Sequence, residues 1–363
     1  MEFVLITMGA ALVAAAVAAN QAWLDRHFLP SFFIPRHWYV LIETAARCLV
    51  GAAGVLMIVG RRWLARMVMS APVMIAQVIV AAVLAIGASE AALRWIHLRP
   101  TEWLVADEEP RRQPDARLGW VLAPERVGRS RIGGRTIDYA IDRSGSRVRS
   151  VDEPVNPALD TIVFAGESVM FGEGLTWQES IPARAGAMLH VQTANIAVHG
   201  YSTDQMYMRL ERELPRFERP VAVVTIFMTE LFGRNLDDDR PHLAPGFAWQ
   251  PAEHASRLMS LAGLLVPYRR TSTVDAGVQL SQDVLRAIGR LAQTRHAVPL
   301  VIVPTFGPED DAQRSLRARI LTVDIPHVVI ALDPHWRLPW DRHPNARAAE
   351  AIASAIAARL RPS

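Results

Sequence analysis

Residues 160–174 read Asp160-Thr161-Ile162-Val163-Phe164-Ala165-Gly166-Glu167-Ser168-Val169-Met170-Phe171-Gly172-Glu173-Gly174. The run Thr161 to Ala165 is β-branched, apolar and small, the composition of a buried strand, and it breaks directly into Gly166-Glu167-Ser168. A serine at such a strand end, with Gly172 and Gly174 close behind, is held at the rim of a sheet, where a hydroxyl can be aimed at a substrate. The competing reading is a helix N-cap serine after an ordinary strand. Residues elsewhere in the chain decide between them.

Downstream, strands are expected at 161–165, 191–197, 221–228, 299–304 and 327–332, with amphipathic helices near 177–190, 203–215, 280–295, 310–320 and 344–361. Strands that are continuously apolar and alternate with helices indicate a mostly parallel sheet covered on both faces, a three-layer α/β/α domain. Residues 233–279 interrupt this rhythm with Pro241, Pro245, Pro251, Pro267 and Asp237-Asp238-Asp239, and hold one expected helix, Ala252 to Leu265. An insertion placed after a strand's carboxyl end overlies the region where open sheets bind ligands. Upstream, 100–118 reads as a polar linker. Gly119 to Pro124, Thr136 to Ile141 and the turn Asp142-Arg143-Ser144-Gly145 read as a short antiparallel leader that covers a sheet edge or fixes the domain against the membrane.

The chain has 363 residues, 51% of them hydrophobic, and the excess is concentrated in the first hundred. Phe3–Ala19, Trp38–Gly60 and Met67–Ala88 are three apolar runs of about spanning length. The first is read as a retained helix because Met1-Glu2 supplies no positive region of the kind a signal peptide carries. Residues 21–37, with Trp23, Phe28, Phe32 and Phe33, read as an interfacial loop. In the second run Glu43 and Arg47 share a helical face, as an ion pair locking helix packing or as a contact for a membrane-protein partner. The tight turn Arg61-Arg62-Trp63-Leu64-Ala65-Arg66 is cytoplasmic by the positive-inside rule, which delivers everything after about residue 95 to the far side, the periplasm of a Gram-negative cell. The expected organisation is therefore 1–98 as three transmembrane helices with an interfacial loop, 99–159 as linker and leader, and 160–363 as the α/β/α domain with its insertion at 233–279.

Several functions are excluded. A net charge of +3 without a basic cluster among exposed aromatics gives no support to nucleic-acid binding. All 39 basic residues are arginine, so lysine Schiff-base chemistry is ruled out. Cys48 is the single cysteine, so neither a disulfide framework nor a thiolate metal site can be built. The histidines lack ligand spacing and Asp237–Asp239 reads as a solvated loop, so no metal or other cofactor is expected.

Near the C-terminus, Trp340-Asp341-Arg342-His343-Pro344-Asn345 precedes the last helix. At this spacing Asp341 can orient His343, whose other ring nitrogen reaches across the sheet edge; the competing reading is a helix-capping aspartate beside a surface histidine. Asn195-Ile196-Ala197-Val198-His199-Gly200-Tyr201-Ser202-Thr203-Asp204 comes after the second strand, and its glycine can bring a backbone N–H to the same rim. With these three blocks in order, residues 160–361 resemble the SGNH/GDSL hydrolase superfamily, which has a flavodoxin-like three-layer fold. Gly166-Glu167-Ser168 stands for its Gly-Asp-Ser block, Gly200 for its second-block glycine, and Asp341 and His343 for its last block. The leader 119–147 is also similar to one found in membrane-tethered bacterial members.

The sequence departs from that pattern in two places. Glu167 replaces the aspartate beside the serine, and Phe227-Met228-Thr229-Glu230-Leu231 stands where an Asn-Asp pair usually supplies an oxyanion donor. The resemblance implies Ser168 as nucleophile, His343 as base and Asp341 as its orienter. It implies an oxyanion held by the Ser168 and Gly200 N–H groups, with Asn235 or Thr229 as the third donor. An outward-facing serine esterase on a membrane anchor implies short O-acyl, acetyl, esters of a cell-envelope or exported glycan as substrates. The alternatives are a lysophospholipase-type lipid esterase, and a catalytically weak or inactive subunit that serves a membrane-protein complex.

Overall fold

The computed structural model describes all residues except 30, 31, 33, 97–107, 133, 254, 255, 266, 362 and 363. Residues 100–107 of the expected linker and the aromatic Phe33 therefore lie outside the described residues. The chain forms two compact units, Met1–Leu104 with Ala255–Thr271, and Val105–His254 with Ser272–Ser363.

The first unit contains α1 (Glu2–Ala18), α2 (Gln21–His27), α3 (Arg36–Val59), α4 (Arg61–Ser70) and α5 (Pro72–Trp95). Two of these, α3 and α5, are long and apolar enough to cross a membrane, or three spans result if α1 and α2, bent 82° from each other, count as one. Where α1 crosses α3, a Cβ on Gly9 or Gly54 would come 2.6 Å from the other's carbonyl oxygen. Only a pair of glycines permits so close an approach.

Four expectations are corrected in this unit. Residues 21–37 are not loop throughout, because Asn20 caps a helix at Gln21 by accepting the Trp23 N–H. Arg61–Arg66 is not a tight turn but the start of α4. The helical path breaks instead at Ala71, because the residue before a proline is driven out of the α region, and Pro72, which needs no N–H partner at a first turn, opens α5. Glu43 and Arg47 do not pair: Glu43 is buried 3.8 Å from Arg36, two turns back on its own helix, while Arg47 donates to the Ala19 carbonyl beyond the end of α1. The helix expected from Ala252 begins at Arg257, runs to Leu265, and belongs to this unit. Its entry is fixed by Glu90 of α5, whose carboxylate accepts the N–H groups of Arg257 and Leu258, each at 3.0 Å, and the Ser256 hydroxyl at 2.9 Å.

The second unit runs β1 (Arg112–Asp115), β2 (Gly119–Leu122), β3 (Arg126–Ile132), β4 (Arg135–Ile141), β5 (Arg147–Val148), β6 (Asp160–Ala165), α6 (Ser168–Phe171), α7 (Ile181–Leu189), β7 (Gln192–Asn195), α8 (Thr203–Glu213), β8 (Arg219–Ile226), β9 (His242–Ala244) and β10 (Ala248–Gln250). After α9, the helix Arg257–Leu265 already described, come α10 (Thr271–Thr294), β11 (Val298–Phe306), α11 (Asp311–Ile320), β12 (His327–Leu332) and α12 (Ala346–Leu360). One sheet of eight strands has the order β12-β11-β8-β6-β7-β5-β4-β3.

The pairs from β12 to β7 are parallel, and those from β7 to β3 antiparallel. Renumbered among themselves, the parallel strands run 2-1-3-4-5, so the strand order reverses at β6 and β8, and a ligand crevice opens at their carboxyl ends. With this strand order the right-handed crossover rule puts α8, α10 and α11 on one face and α7 on the other, and α12 packs against α7. Ile162 to Ala165, Val223, Val224 and Leu300 to Val303 are buried in the middle of the sheet.

The leader is more than a separate ribbon. β3, β4 and β5 extend the main sheet, with Arg147 opposite Asn195, because β7 would otherwise leave its outer backbone groups unpaired. β7 stops at Asn195 rather than 197, since the Asn195 side chain accepts the Ala197 N–H and turns the chain.

Candidate active site

Ser168 opens α6, immediately after β6. Glu167 is its N-cap: the carboxylate Oε2 accepts the Val169 N–H at 2.9 Å and the Ser168 hydroxyl at 2.8 Å. The helix is a single turn and ends at Gly172, whose φ of +85° and tight surroundings suit glycine alone. A Cβ there would sit 2.8 Å from an Arg147 nitrogen. Arg147 is buried and donates to the carbonyls of Phe171 at 2.6 Å, Gly172 at 2.7 Å and Leu175 at 2.6 Å. Its guanidinium lies 4.8 Å from the Tyr139 ring centre and 4.9 Å from that of Phe171. Burial pulls it down to about 10, still fully charged at neutral pH. Asn195 adds its amide to the Met170 and Phe171 carbonyls, and the Tyr139 hydroxyl accepts the Gly174 N–H. The turn that carries Ser168 is thus capped at its start by Glu167 and fastened at its close by side chains from β4, β5 and β7.

The segment after β12 brings His343 to the same rim. Its Nε2 lies 2.7 Å from Ser168 Oγ and its Nδ1 2.8 Å from Asp341 Oδ1, and the His343 N–H also donates to Asp341. The structure therefore brings together Ser168, His343 and Asp341, which the sequence singled out. Burial disfavours the imidazolium of His343, but Glu173, Asp341 and Glu167 outweigh it and raise its affinity for a proton above the ordinary imidazole value. Glu173 approaches to 3.7 Å from Nε2. Burial, with Asp341 and Glu108 nearby, pushes the Glu173 carboxyl up, opposed by His343 and Arg112. Asp341 is held below the usual carboxylate range: burial raises it, but the bond to and charge of His343 prevail.

Gly200 lies in the turn after β7 with φ +82°. Its carbonyl accepts from Arg240 at 2.6 Å, while neither its N–H nor that of Ser168 donates to any acceptor among the described residues. Tyr201 and Trp120 lock this turn to the leader, the Tyr201 hydroxyl donating to the Trp120 carbonyl and the Trp120 indole to the His199 carbonyl. His199 is buried and edge-on to Phe171, and burial together with Arg112, His343 and Arg234 holds it well below the ordinary imidazole value.

The two side chains expected as third donors are engaged elsewhere. Asn235 accepts the Thr203 N–H at 2.8 Å and donates to the hydroxyls of Thr203 and Ser281, so its amide serves α8 and α10. Thr229 reaches 3.4 Å from Glu309. A small cleft beside Glu167 is lined by Tyr201, Ser202, Met206, Ile226 and Leu231, among others. Among the described residues no cluster of histidine, cysteine or carboxylate side chains could hold a metal ion.

Sequence reading missed Arg147, Glu173 and Arg234. Arg147 belongs to a strand of two residues that leaves no periodic signal, and Glu173 looks like one more polar residue in a glycine turn. Arg234 sits in an aperiodic segment rich in charge, where a half-buried cation has no local signature.

No protein-family model matches the chain, and no curated protein matches it. Solved structures similar to it include a protein described as lipolytic and of the G-D-S-L family from Desulfitobacterium hafniense, at 12% identity over 55% of this chain and 99% of that one, with a TM-score of 0.37. A GDSL-like lipase from Bacteroides thetaiotaomicron has 14% identity over 55% of this chain and 87% of its own, with a TM-score of 0.34. An acetyl xylan esterase from Butyrivibrio proteoclasticus has 11% identity over 58% and 65% respectively, again with a TM-score of 0.34.

Proposed function

We propose that this chain is a membrane-associated serine ester hydrolase of the SGNH/GDSL kind, acting on short O-acyl esters, acetyl above all, of a cell-envelope or exported glycan. The observation that carries this reading is the continuous hydrogen-bonded chain Asp341–His343–Ser168, with separations of 2.8 Å and 2.7 Å, at the carboxyl end of a parallel sheet.

The chemistry depends on which atom holds each proton. While His343 is an imidazolium, its Nε2–H points at Ser168 Oγ, and the serine hydroxyl donates to Glu167. When His343 is neutral with its proton on Nδ1 toward Asp341, Nε2 becomes an acceptor and draws the Ser168 proton. Oγ then adds to the ester carbonyl as its proton passes to Nε2, and the carbonyl oxygen takes the negative charge. The free N–H groups of Ser168 and Gly200 are the backbone donors for that oxygen. Collapse breaks the bond to the alcohol, which leaves with the proton from His343, and an acyl-serine remains. Water, deprotonated by the same nitrogen, releases the acid.

The arginines Arg61, Arg62 and Arg66, between the spans α3 and α5, support a cytoplasmic α4. We read the chain as a multi-pass bacterial inner-membrane protein with its second unit in the periplasm, where an envelope ester is within reach.

The test uses the full chain in detergent. A fluorophosphonate probe should label the wild type but not Ser168→Ala, and p-nitrophenyl acetate hydrolysis should fall by at least about 1000-fold in that variant. Unlabelled wild type with no esterase activity would sink the reading in favour of a catalytically silent subunit.

A further inference from the structure

The third oxyanion donor is missing from the two positions that sequence alone nominates, and the residue beside one of them is placed to replace it. Thr229–Leu236 is a 3-10 helix, so side chains three apart share a row. Phe232 and Leu236 press on Gly277 of α10, and Asn235 bonds Ser281 one turn further along the same helix. Leu231 and Arg234 form a different row, and Leu231, like Asn235 at the border of the other face, lines the cleft that also contains Glu167.

Arg234 therefore points with Leu231 away from α10 and toward the end of β6. Its Nη1 is buried and has no hydrogen-bond acceptor among the described residues. The guanidinium is close enough to Glu167, Glu173 and Asp237 for these carboxylates to stabilise its charge, and close enough to His199 to disfavour a second cation there. Of these, Glu167 flanks Ser168, Glu173 sits 3.7 Å from His343 Nε2, and His199 precedes Gly200. A buried guanidinium N–H with no acceptor is costly unless a ligand completes it.

We propose that Arg234 is the third oxyanion donor, its unpartnered Nη1–H taking the negative oxygen that forms when Ser168 adds to the ester carbonyl. This rests on the reading of Ser168 as the nucleophile. The carbonyl π pair moves onto oxygen as the Oγ–C bond forms. The serine proton goes to His343, and Arg234 keeps its own proton, lending a hydrogen bond and a positive charge. A full cation at this point gives more stabilisation than a neutral amide and answers the extra negative charge that Glu167 and Glu173 bring to the rim.

The test compares wild type, Arg234→Ala, Arg234→Lys and Ser168→Ala as full chains in detergent, with p-nitrophenyl acetate, a neutral ester, as substrate. Arg234→Ala should lose about 100-fold in kcat with KM within about threefold. Guanidinium chloride should restore part of that loss in Arg234→Ala and nothing in Ser168→Ala. Arg234→Lys, which keeps the charge but not the fork, should lose about 10-fold. A folded Arg234→Ala with unchanged kcat, or with a loss confined to KM, would overturn the inference while wild-type labelling by fluorophosphonate leaves the esterase reading standing. If Arg234→Ala does not fold, Arg234→Lys decides, and an unchanged kcat there overturns the inference. Wild type that is neither labelled nor active removes both.

Discussion

At the scale of single residues, the surroundings of His343 set its affinity for a proton. Three carboxylates, Glu173, Asp341 and Glu167, favour its charged form more than burial disfavours it. A general base must be neutral, so kcat/KM on a model acetyl ester should rise with pH through a midpoint above the ordinary imidazole value of about 6.5. Replacing Glu173 by glutamine removes one negative charge 3.7 Å from Nε2, destabilises the imidazolium and should move that midpoint to lower pH. A pH–rate profile of Glu173→Gln with the midpoint unchanged, or moved upward, would show that Glu173 does not govern the base. Ser168, Asp341 and His343 were legible in the sequence because each stands in a short local pattern at the edge of a strand or helix. Glu173 and Arg234 were not, since their effect on the site depends on what the fold packs against them.

The decisive element is the single turn α6 and the loop that closes it. Four residues cannot sustain a helix by themselves. α6 is held because Glu167 caps its start, and Arg147 with Asn195 satisfies the carbonyls at its end. Arg147→Ala should orphan the Leu175 carbonyl, strip one of two donors from the carbonyls of Phe171 and Gly172, and leave a cavity between Tyr139 and Phe171. A loss of about 2–4 kcal/mol is expected, visible as a lower denaturation midpoint of the second unit, with esterase activity falling in parallel. Arg147→Lys, which cannot reach three acceptors with one compact ammonium, should rescue little. An Arg147→Ala protein as stable as wild type would refute this account of the turn. Strand and helix periodicity exposed the five parallel strands and their helices. It could not reveal that β3, β4 and β5 would join the same sheet, because alternation does not say which edge a hairpin will pair with.

At the scale of the whole molecule, the membrane reading makes a topological prediction. In a Cys48→Ser background, Glu218→Cys places a lone thiol at an exposed position of the second unit. If that unit is periplasmic, a membrane-impermeant maleimide should label it in intact spheroplasts. Labelling only after lysis would reverse the orientation inferred from Arg61, Arg62 and Arg66. The sequence by itself determined the α/β/α domain, the apolar character of the first hundred residues, and the order of the three blocks ending in Gly166-Glu167-Ser168, Gly200 and Asp341-x-His343. These arise from hydrophobic periodicity and local turn chemistry, which are properties of neighbouring residues. Tertiary structure alone decided that Glu43 meets Arg36 rather than Arg47, and that residues 255–271 belong with the apolar helices. It decided too that Asn235 is bound to Thr203 and Ser281 while a buried Arg234 N–H has no acceptor among the described residues. Each of these depends on which side of an element faces which neighbour, and contacts between residues distant in sequence settle that only when the chain is packed.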